Sequence, residues 1–309
     1  MLTSAVAAPQ AAAAAACQVE DLPVPAGAFE ARTRGTSDNG LIVGEVQHDG
    51  IRGVVWANGQ PSEMAAPANP NVTSVRPSDI NNHGSVVGTQ ETFGSGETVN
   101  RAFIYRDGVY YLLYTEGPEQ SRAVGVNDNG DVIGEVWLKS APQTRWVALW
   151  PAGQPRRLYV KGQAIGISAD RKLVLATATD KTWVIDGNTG AWTPMPGART
   201  PMTLDNERIL HFEFTPTGTQ IAEWNLTGQR VDAYAEGRDV YGKNAAGVLF
   251  GVSTHGETSV WSGGTRKEIV ADKLPHFSYA ADILDDGTMI GTYEGSQSGL
   301  PHAARWTCS

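Results

Sequence analysis

The chain lacks the features that membrane-spanning and nucleic-acid-binding proteins need. Its 309 residues contain no apolar run close to the ~20 residues of a transmembrane helix. Only 18% of the residues are charged, the net charge is −9, and no Lys/Arg block of about five to eight residues occurs. Because phosphate neutralisation dominates affinity for nucleic acids, an acidic chain of this kind is not expected to bind them. We therefore expect no transmembrane segment and no nucleic-acid partner.

Familiar catalytic and cofactor strings are also missing. The sequence contains no G-x-S-x-G elbow, no H-E-x-x-H zinc motif and no P-loop. Its six histidines show no metal-ligand spacing. The sequence thus predicts neither a metal nor a cofactor, and it leaves open whether the chain is an enzyme.

Repetition is what the chain does contain. A turn signal followed by a short β-branched run occurs as "SDNGLIVGE" at 37–45, "INNHGSVVGT" at 80–89, "VNDNGDVIGE" at 126–135 and "ILDDGTMIGT" at 283–292. Weaker copies bring the total to seven, and their turn positions span 247 residues in six steps, about 41 each. We call these turn positions the anchors, and they are Gly40, Gly84, Gly130, Arg171, Glu207, Gly247 and Gly287.

A second signal follows each anchor at a regular distance. It is an apolar pair that ends in a large side chain before another turn, as in "VVWANG" and "SVWSGG". These large residues are expected to pack between repeats, because aromatic side chains dominate the burial of apolar surface. They are Trp56, Tyr105, Trp150, Ile185, Trp224, Trp261 and Trp306.

Each repeat is typical of four short β-strands. D-N-G turns tolerate the positive φ that tight hairpins need, and the short β-branched runs between turns favour strands over helices. About four strands in 40 residues, repeated seven times, predict an all-β, seven-bladed β-propeller with four-stranded blades. A β-solenoid would need shorter rungs, and two β-sandwiches would not explain the regular spacing.

The chain ends provide a way to close the ring. The seventh repeat has only three residues after Trp306, so it lacks a fourth strand, whereas residues 18–25 form a strand with no partner. We predict that this N-terminal strand completes the last blade and that a Cys17–Cys308 disulfide replaces the missing turn. Residues 17–309 would then be a single propeller domain.

The N-terminus and the cysteines both predict a secreted or extracytoplasmic protein. Residues 1–16 are rich in Ala and indicate either the remnant of a signal peptide or a disordered tail. A disulfide persists in oxidising compartments, which agrees with export.

The repeat resembles the HAF repeat of bacterial extracellular proteins. That unit looks like A-x-x-I-N-x-x-G-x-V-V-G followed by H-A-F-x-W-x-x-G. Residues 80–88 fit the first half, and residues 101–105 and 302–306 resemble the second. The resemblance covers the whole chain but is weak in the fourth and fifth repeats. It implies a propeller with an extracytoplasmic address and brings no defined activity.

Stacking the repeats aligns several arginines eight residues before the anchors. In a propeller, this position begins the innermost strand near one mouth of the central channel. The guanidinium group of Arg presents paired N–H donors that suit carboxylate, sulfate or phosphate groups, but it also pairs with backbone carbonyls and with aspartates in turns. The aligned residues are Arg32, Arg76, Arg122, Gln163, Arg199, Asp239 and Tyr279, with Arg101, Trp146 and His302 beginning third strands nearby.

Three functions are compatible with these residues. The first is a secreted, monomeric propeller that binds a small anionic or carbohydrate-like ligand through Arg32, Arg76, Arg101, Arg122, Trp146, Arg199, Tyr279 and His302. The second is a lyase, isomerase or hydrolase in which His302 or Tyr279 acts as acid or base and Arg76 or Arg122 stabilises an oxyanion. The third is a structural or protein-interaction propeller in which the arginines only support the fold. Long loops at 89–100, 137–145 and 292–301 lie on the same predicted face, with Phe93, Trp137 and Tyr293 as further candidates for stacking.

Overall fold

The computed structural model describes residues 15–94, 96–117, 119–177, 181–195, 201–205, 207–216, 218–271, 282–295 and 299–308. All regular structure in these residues is β, in 27 strands. The strands form four sheets of one or two blades each, and together these make the seven blades of a propeller, as the sequence predicted.

In blades 1 to 6 the strands follow one another in space in the order of the chain, from the channel outwards. Blade 1 contains β2 Glu30–Thr36, β3 Ile42–His48, β4 Gly50–Ala57 and β5 Gln60–Glu63. Blade 2 contains β6 Val72–Ile80, β7 Val86–Gly94, β8 Glu97–Arg106 and β9 Val109–Leu112. Blade 3 contains β10 Glu119–Val126, β11 Val132–Leu138, β12 Arg145–Trp150 and the first part of β13 Arg157–Ile167.

The remaining four blades continue the pattern. Blade 4 contains the second part of β13, β14 Lys172–Thr177, β15 Thr182–Asp186 and β16 Trp192–Pro194. Blade 5 contains β17 Pro201–Asp205, β18 Arg208–Thr215, β19 Gly218–Asn225 and β20 Arg230–Ala235. Blade 6 contains β21 Gly237–Lys243, β22 Leu249–Ser253, β23 Thr258–Ser262 and β24 Thr265–Val270. Blade 7 contains β25 Asp282–Ile283, β26 Met289–Glu294, β27 Pro301–Cys308 and the N-terminal β1 Ala15–Asp21.

The ring closes as predicted, through β1. This strand pairs antiparallel with β27, and Cys17 lies opposite Cys308 in the register. The two cysteines form a disulfide, so a covalent bond stands where other blades have a turn. At its start, β1 also pairs in parallel with β24, which joins blade 7 to blade 6.

The anchors share one backbone conformation. All seven have positive φ, from 58° at Glu207 to 86° at Gly287, in the left-handed region that favours glycine. Blades 4 and 5 keep this conformation although their anchors are Arg171 and Glu207. The repeat is therefore regular in backbone geometry even where its sequence has diverged.

Apolar side chains pack between neighbouring blades. Seven clusters of buried residues occur in the described chain, one at each blade junction, and each contains the large third-strand residue of one of its two blades. Trp56, Trp261 and Trp306 are at most 1% exposed. Their predicted role as inter-blade core is confirmed.

Indole groups also tie these residues to the chain between blades. Trp56 Nε1 donates to the Pro23 carbonyl at 2.7 Å, Trp150 Nε1 to the Tyr114 carbonyl at 2.9 Å and Trp261 Nε1 to the Ala235 carbonyl at 3.0 Å. Each bond satisfies a polar group that burial would otherwise leave unpaired.

Candidate functional site

A bulge interrupts each innermost strand of blades 1 to 6 where it faces the channel. An extra residue at a bulge bends the strand and changes the direction of its side chains. This brings the residues around the bulge to the channel wall. The bulged residues are Arg34, Ser78, Val124, Ile165, Met202 and Tyr241.

The residues directly after the bulges form a ring around the channel, completed in blade 7 by the equivalent residue. Most members are glycine, and two are aspartate. A Cβ atom on Gly242 would overlap the Asp282 carboxylate, and one on Gly35 would lie 3.1 Å from the Ser78 carbonyl oxygen and 3.4 Å from Asp79 Oδ1. Glycine in one blade therefore makes room for a carboxylate of its neighbour. We call this set the channel ring: Gly35, Asp79, Gly125, Gly166, Thr203, Gly242 and Asp282.

Asp79 connects blade 2 to blade 3. Its Oδ2 accepts a hydrogen bond from the Val126 amide at 2.9 Å, and its Oδ1 accepts one from the Ile80 amide at 2.8 Å. Burial raises the pKa of Asp79 to about 7, although both hydrogen bonds act to lower it. The carboxyl group is therefore partly protonated near neutral pH.

Asp282 connects blade 7 to blade 1 in the same way. Its Oδ2 accepts a hydrogen bond from the Thr36 hydroxyl, and its Oδ1 accepts one from the Ile283 amide at 2.8 Å. Burial, helped by the nearby Asp38 carboxylate, raises the pKa of Asp282 to about 6, although the hydrogen bonds from Thr36 and Ile283 act to lower it. Strand β2 thus has a half-buried carboxyl group on either side.

Six of the seven channel-ring residues, all but Gly242, line a cavity of about 680 Å³ at the centre of the propeller. All seven blades contribute to its wall, from the bulges to the anchor turns. Hydroxyl and amide groups of residues such as Thr36, Ser168 and Asn127 line it, together with a few apolar side chains. The ionisable acids and bases of the described wall are one base and six acids: Arg34, Asp38, Asp79, Asp128, Asp205, Glu207 and Asp282.

This wall can hold a small polar ligand. Carboxylates and amides both accept and orient hydroxyl groups, and the excess of acids favours neutral or cationic groups over anions. Two carboxyl groups that titrate near neutral pH are also suited to moving protons.

Three of the predicted arginines lie outside this wall. Arg32 and Arg76 surround Glu45, which is 2% exposed, together with the wall residue Arg34. Arg34 lies 2.6 Å from Glu45 Oε1, Arg32 lies 3.5 Å from it and Arg76 lies 3.8 Å from it. Arg76 also reaches Glu91 at 3.5 Å.

Arg122 has a similar environment in blade 3. It forms a two-pronged pair with the fully buried Glu135, at 3.0 and 2.9 Å, and Arg145 joins the same carboxylate at 3.0 Å. The ligand-binding role of these arginines stays a prediction, while their visible role is to neutralise buried carboxylates.

The other predicted site residues are separated from the cavity wall. Arg101 donates to the backbone carbonyls of Asn100 and Glu119. Trp146 is 37% exposed, with Lys161 Nζ 5.5 Å from its ring centre, and His302 stacks on Tyr293 at 5.2 Å. Arg199 and Tyr279 lie outside the described residues.

The aromatic residues predicted in loops lie instead in strands, Phe93 in β7, Trp137 in β11 and Tyr293 in β26, and they have different surroundings. Phe93 is 54% exposed, whereas Trp137 is 9% exposed and lies under Arg145. Tyr293 is 3% exposed and donates its hydroxyl hydrogen to Asp21 at 2.7 Å. Phe93 therefore remains accessible for stacking, while Trp137 and Tyr293 are occupied by the fold.

Sequence reasoning missed Asp79 and Asp282 as candidates. The available signal was the position five residues before the anchor, where Gly35, Gly125, Gly166 and Gly242 alternate with aspartate. A carboxylate that replaces glycine at a close approach of strands is unusual, but only the curvature of the ring shows that this position faces a cavity.

No group of three or more His, Cys, Asp or Glu side chains is arranged to hold a metal ion among the residues that the structure describes. The same residues contain no helix long and apolar enough to cross a membrane.

The architecture and the central cavity place the chain in the β-propeller class. Among solved structures it is similar to the WD40 β-propeller domain of Doa1, with 15% identity and a TM-score of 0.53. The match covers 93% of this chain and 96% of that one, and at this identity it shows the fold alone. No protein-family model and no curated protein matches the sequence, so the HAF-repeat resemblance rests on its motifs.

Proposed function

We propose that the chain is an extracytoplasmic binding propeller that holds a small, hydroxyl-rich ligand, carbohydrate-like in its chemistry, in the central cavity. The observation that carries the proposal is the cavity itself, about 680 Å³ with hydroxyl, amide and carboxyl groups from seven blades. A volume of this size suits a small ligand. The Cys17–Cys308 disulfide supports the extracytoplasmic part, because such bonds persist in oxidising compartments.

The charge of the wall narrows the ligand class. Arg32, Arg76 and Arg122 already face carboxylates, and the wall carries more acids than bases. The arrangement therefore favours a neutral or amino sugar, or another polyol, over the anionic ligand that the arginine pattern predicts. Carboxylates accept hydrogen bonds from pairs of hydroxyl groups, which is how they would orient such a ligand.

A thermal-shift and calorimetric screen tests the proposal. The panel contains neutral sugars, amino sugars, polyols and sugar acids, and the protein is the full chain with its disulfide intact. Val124→Trp fills the cavity from a bulge, and Val231→Trp adds the same side chain on the outer strand β20 as a matched control. We expect a neutral or amino sugar to stabilise the wild type and Val231→Trp but not Val124→Trp.

Two results would contradict the proposal. A response confined to sugar acids and lost in Arg76→Ala/Arg122→Ala would place the site at the arginines and support the anionic alternative. A response that survives Val124→Trp would place the ligand outside the cavity.

A catalytic role is the second candidate, and the raised pKa values of Asp79 and Asp282 favour it. A general acid or base works best when its pKa lies near the working pH, and both groups meet that condition inside a cavity. In this scheme they take the acid and base roles predicted for His302 and Tyr279. Turnover of a bound glycoside that disappears in Asp79→Asn, with binding retained, would support the enzyme; binding without turnover would support the binding protein.

A further inference from the structure

Asp79 and Asp282 lie on either side of one short segment of strand β2. A Cβ atom on Gly35 would lie 3.4 Å from Asp79 Oδ1, and the hydroxyl of the next residue, Thr36, donates to Asp282 Oδ2. The two carboxyl groups also influence each other, because the negative charge of Asp282 contributes to the raised pKa of Asp79. Both residues line the central cavity, and we call them the acidic pair.

The acidic pair forms no ion pair with any residue that the structure describes. All its hydrogen-bond donors in that part of the chain are uncharged: the amides of Ile80, Val126 and Ile283 and the hydroxyl of Thr36. The one base of the described wall, Arg34, already lies 2.6 Å from Glu45. Because a carboxylate removed from water is normally stabilised by a cation, the described wall lacks the positive charge that would balance the pair.

An ammonium group supplies what the acidic pair lacks. Each carboxylate oxygen can accept two hydrogen bonds, and each of the four oxygens in the pair receives one from the described residues. A primary ammonium brings three N–H donors and a positive charge. A ligand hydroxyl group can donate one hydrogen bond but leaves the charge of the carboxylates unbalanced.

The other acids of the wall favour the entry of a cation. Asp38 and Asp128 are exposed in the anchor turns of blades 1 and 3, where the Asn82 side-chain amide donates to both, at 3.1 and 2.9 Å. A cleft lined by charge of one sign concentrates ligands of the opposite sign. The titratable groups that face the acidic pair from the described wall, with Asp285 beside Asp282, are Arg34, Asp38, Asp128, Asp205, Glu207 and Tyr241.

We propose that the central cavity selects a sugar or polyol that carries a protonated primary amine, with the ammonium group held between Asp79 and Asp282. The inference rests on the proposed function, because it names the class of ligand within the same cavity. A neutral polyol meets the same hydroxyl and amide groups and binds more weakly, since it leaves the acidic pair without a cation. A sugar acid adds negative charge to an acidic wall and binds most weakly.

The preference for an amine depends on pH. The pKa of Asp79 is raised to about 7 and that of Asp282 to about 6, so both groups lose their protons between about pH 5 and pH 8. An alkylamine stays protonated over this range, as lysine does with its pKa of ~10.4. The amine therefore binds more tightly as pH rises, and near pH 6 its binding expels about one proton from the acidic pair.

Calorimetric titration of the full, oxidised chain with three six-carbon polyols tests the inference. 1-Amino-1-deoxysorbitol, sorbitol and gluconate differ only at the first carbon, which bears an ammonium, a hydroxyl or a carboxylate group. Glucosamine with glucose, and galactosamine with galactose, extend the comparison to rings. The buffers contain no amine, because an amine buffer would compete for the cavity. Near pH 6, two buffers of different ionisation enthalpy report the protons released.

We expect the amine to bind at least about tenfold more tightly than sorbitol near pH 8, and gluconate to bind most weakly. Between about pH 5 and pH 8 the affinity for the amine should rise about tenfold, while that for sorbitol stays level. Proton release should accompany the amine alone.

Three matched substitutions locate the ammonium group. Asp79→Asn and Asp282→Asn keep the size of the side chain and remove its charge, and Asp232→Asn makes the same change on the exposed face of the outer strand β20. We expect the first two to lower the preference for the amine over sorbitol several-fold, and Asp232→Asn to behave as wild type. Melting temperatures of the same samples show that the variants are folded.

The outcomes separate this inference from the proposed function. Amine and neutral ligands that bind equally to wild type, with both responses lost in Val124→Trp, would overturn the inference and leave the proposed function standing. A preference for the amine that is unchanged in Asp79→Asn and Asp282→Asn would also overturn the inference, because the ammonium would then lie elsewhere. No binding of any sugar or polyol in the panel would overturn both.

Discussion

The anchor turns of blades 2 and 3 hold the next blade by a device that blades 4 and 5 lack. Asn81 Nδ2 donates to the Asn127 carbonyl at 2.9 Å, and Asn127 Nδ2 donates to the Ser168 carbonyl at 3.0 Å. Each asparagine also accepts a hydrogen bond within its own turn: Asn81 Oδ1 from the Ser85 amide and Asn127 Oδ1 from the Asp131 amide, both at 2.9 Å. One side chain thus folds a turn and joins two blades.

Blades 4 and 5 replace this residue with Ser168 and Leu204. The Ser168 hydroxyl still accepts its own turn amide, from Lys172 at 2.8 Å, but its other bond goes to Asp170 within the turn. Leu204 cannot hydrogen bond, and it packs instead in the apolar cluster between blades 4 and 5. A shorter or apolar side chain keeps the turn and loses the tie to the next blade.

The anchors of blades 4 and 5 also differ from each other. Arg171 has φ of 67°, a costly value for a residue with a Cβ, but it forms a two-pronged ion pair with the fully buried Asp131 of blade 3 at 2.8 and 2.7 Å. Glu207, with φ of 58°, makes no hydrogen bond or ion pair within the described part of the chain. A cross-blade ion pair compensates for the backbone strain at Arg171, whereas blade 5 carries the strain at Glu207 without such a contact.

Removal of the covalent closure should give the largest effect and expose the weaker region. We expect Cys17→Ser/Cys308→Ser to lower the free energy of unfolding by about 2 to 5 kcal/mol, because the disulfide restricts the unfolded chain. Hydrogen exchange should accelerate more in β14 and β18 than in β7 and β11, since blades 4 and 5 lack the asparagine tie. Equal acceleration in both regions would contradict the comparison.

Removal of the Arg171–Asp131 ion pair should give the second-largest loss of stability. Arg171→Ala leaves a buried carboxylate without its cation, and we expect a loss of about 3 kcal/mol in chemical denaturation. Lys172→Ala in the next position, which removes a half-exposed pair with Asp186, should cost about 0.5 kcal/mol. Similar losses for both variants would show that Arg171 does not compensate for its own backbone strain.

Removal of the hydrogen bond by which Asn127 joins blade 3 to blade 4 should give the third-largest loss of stability. Asn127→Ala leaves the buried Asp131 amide unpaired and removes the cross-blade hydrogen bond to the Ser168 carbonyl, which keeps only its bond from the Arg171 amide, and we expect a loss of about 2 kcal/mol. Ser168→Ala removes a bond within one turn only and should cost about 1 kcal/mol. If urea denaturation gave the reverse order, the tie between blades would not be what distinguishes the two regions.

The pH dependence of stability should separate Asp79 from Asp131. The pKa of Asp79 is raised by burial to about 7 from 3.8, so the folded state binds the proton more tightly and stability falls as pH rises from 3.8 to about 7. Asp79→Asn should remove this fall, visible as a flatter melting temperature over that range. An Asp79→Asn profile parallel to wild type would contradict the assignment.

The contribution of Asp131 to stability changes with pH in the opposite direction. Burial raises its pKa, but hydrogen bonds from Arg171, Ala152 and Asn127 outweigh burial and hold the pKa below the ordinary value. Its contribution to stability is therefore present at neutral pH and is lost as pH falls below about 3.8. Asp131→Asn should be less stable than wild type at neutral pH, and the difference should shrink in acid.

The smallest predicted change is a gain in stability, on substitution of the blade 5 anchor. Glu207→Gly removes the left-handed strain from an exposed side chain with no described partner, and we expect about 1 kcal/mol of added stability. Gly247→Glu makes the reverse change at the anchor of blade 6, where φ is 80°, and should cost about the same. A neutral result for both substitutions would mean that the anchor tolerates side chains without cost.

The channel ring could be only half predicted from sequence. The repeat spacing places Gly35, Asp79 and Asp282 at equivalent positions, which is visible by alignment. That these positions follow a bulge and face a cavity depends on how strands curve around the ring. The arginine pattern was equally regular, yet its partners Glu45 and Glu135 lie on neighbouring strands, where the alignment of first strands does not show them.

The sequence by itself determined the number of blades, the four-stranded unit, the aromatic core between blades and the closure by Cys17 and Cys308. Apart from the closure, which joins cysteines 291 residues apart, these properties are local or periodic: turn chemistry, strand length and repeat spacing act within about 40 residues, and they repeat until the ring is full. The tertiary structure decided which polar groups are exposed to a ligand and which are consumed by the fold. That choice depends on contacts between blades, such as Gly242 with Asp282 and Arg171 with Asp131, whose members lie about 40 residues apart and become neighbours only when the ring closes.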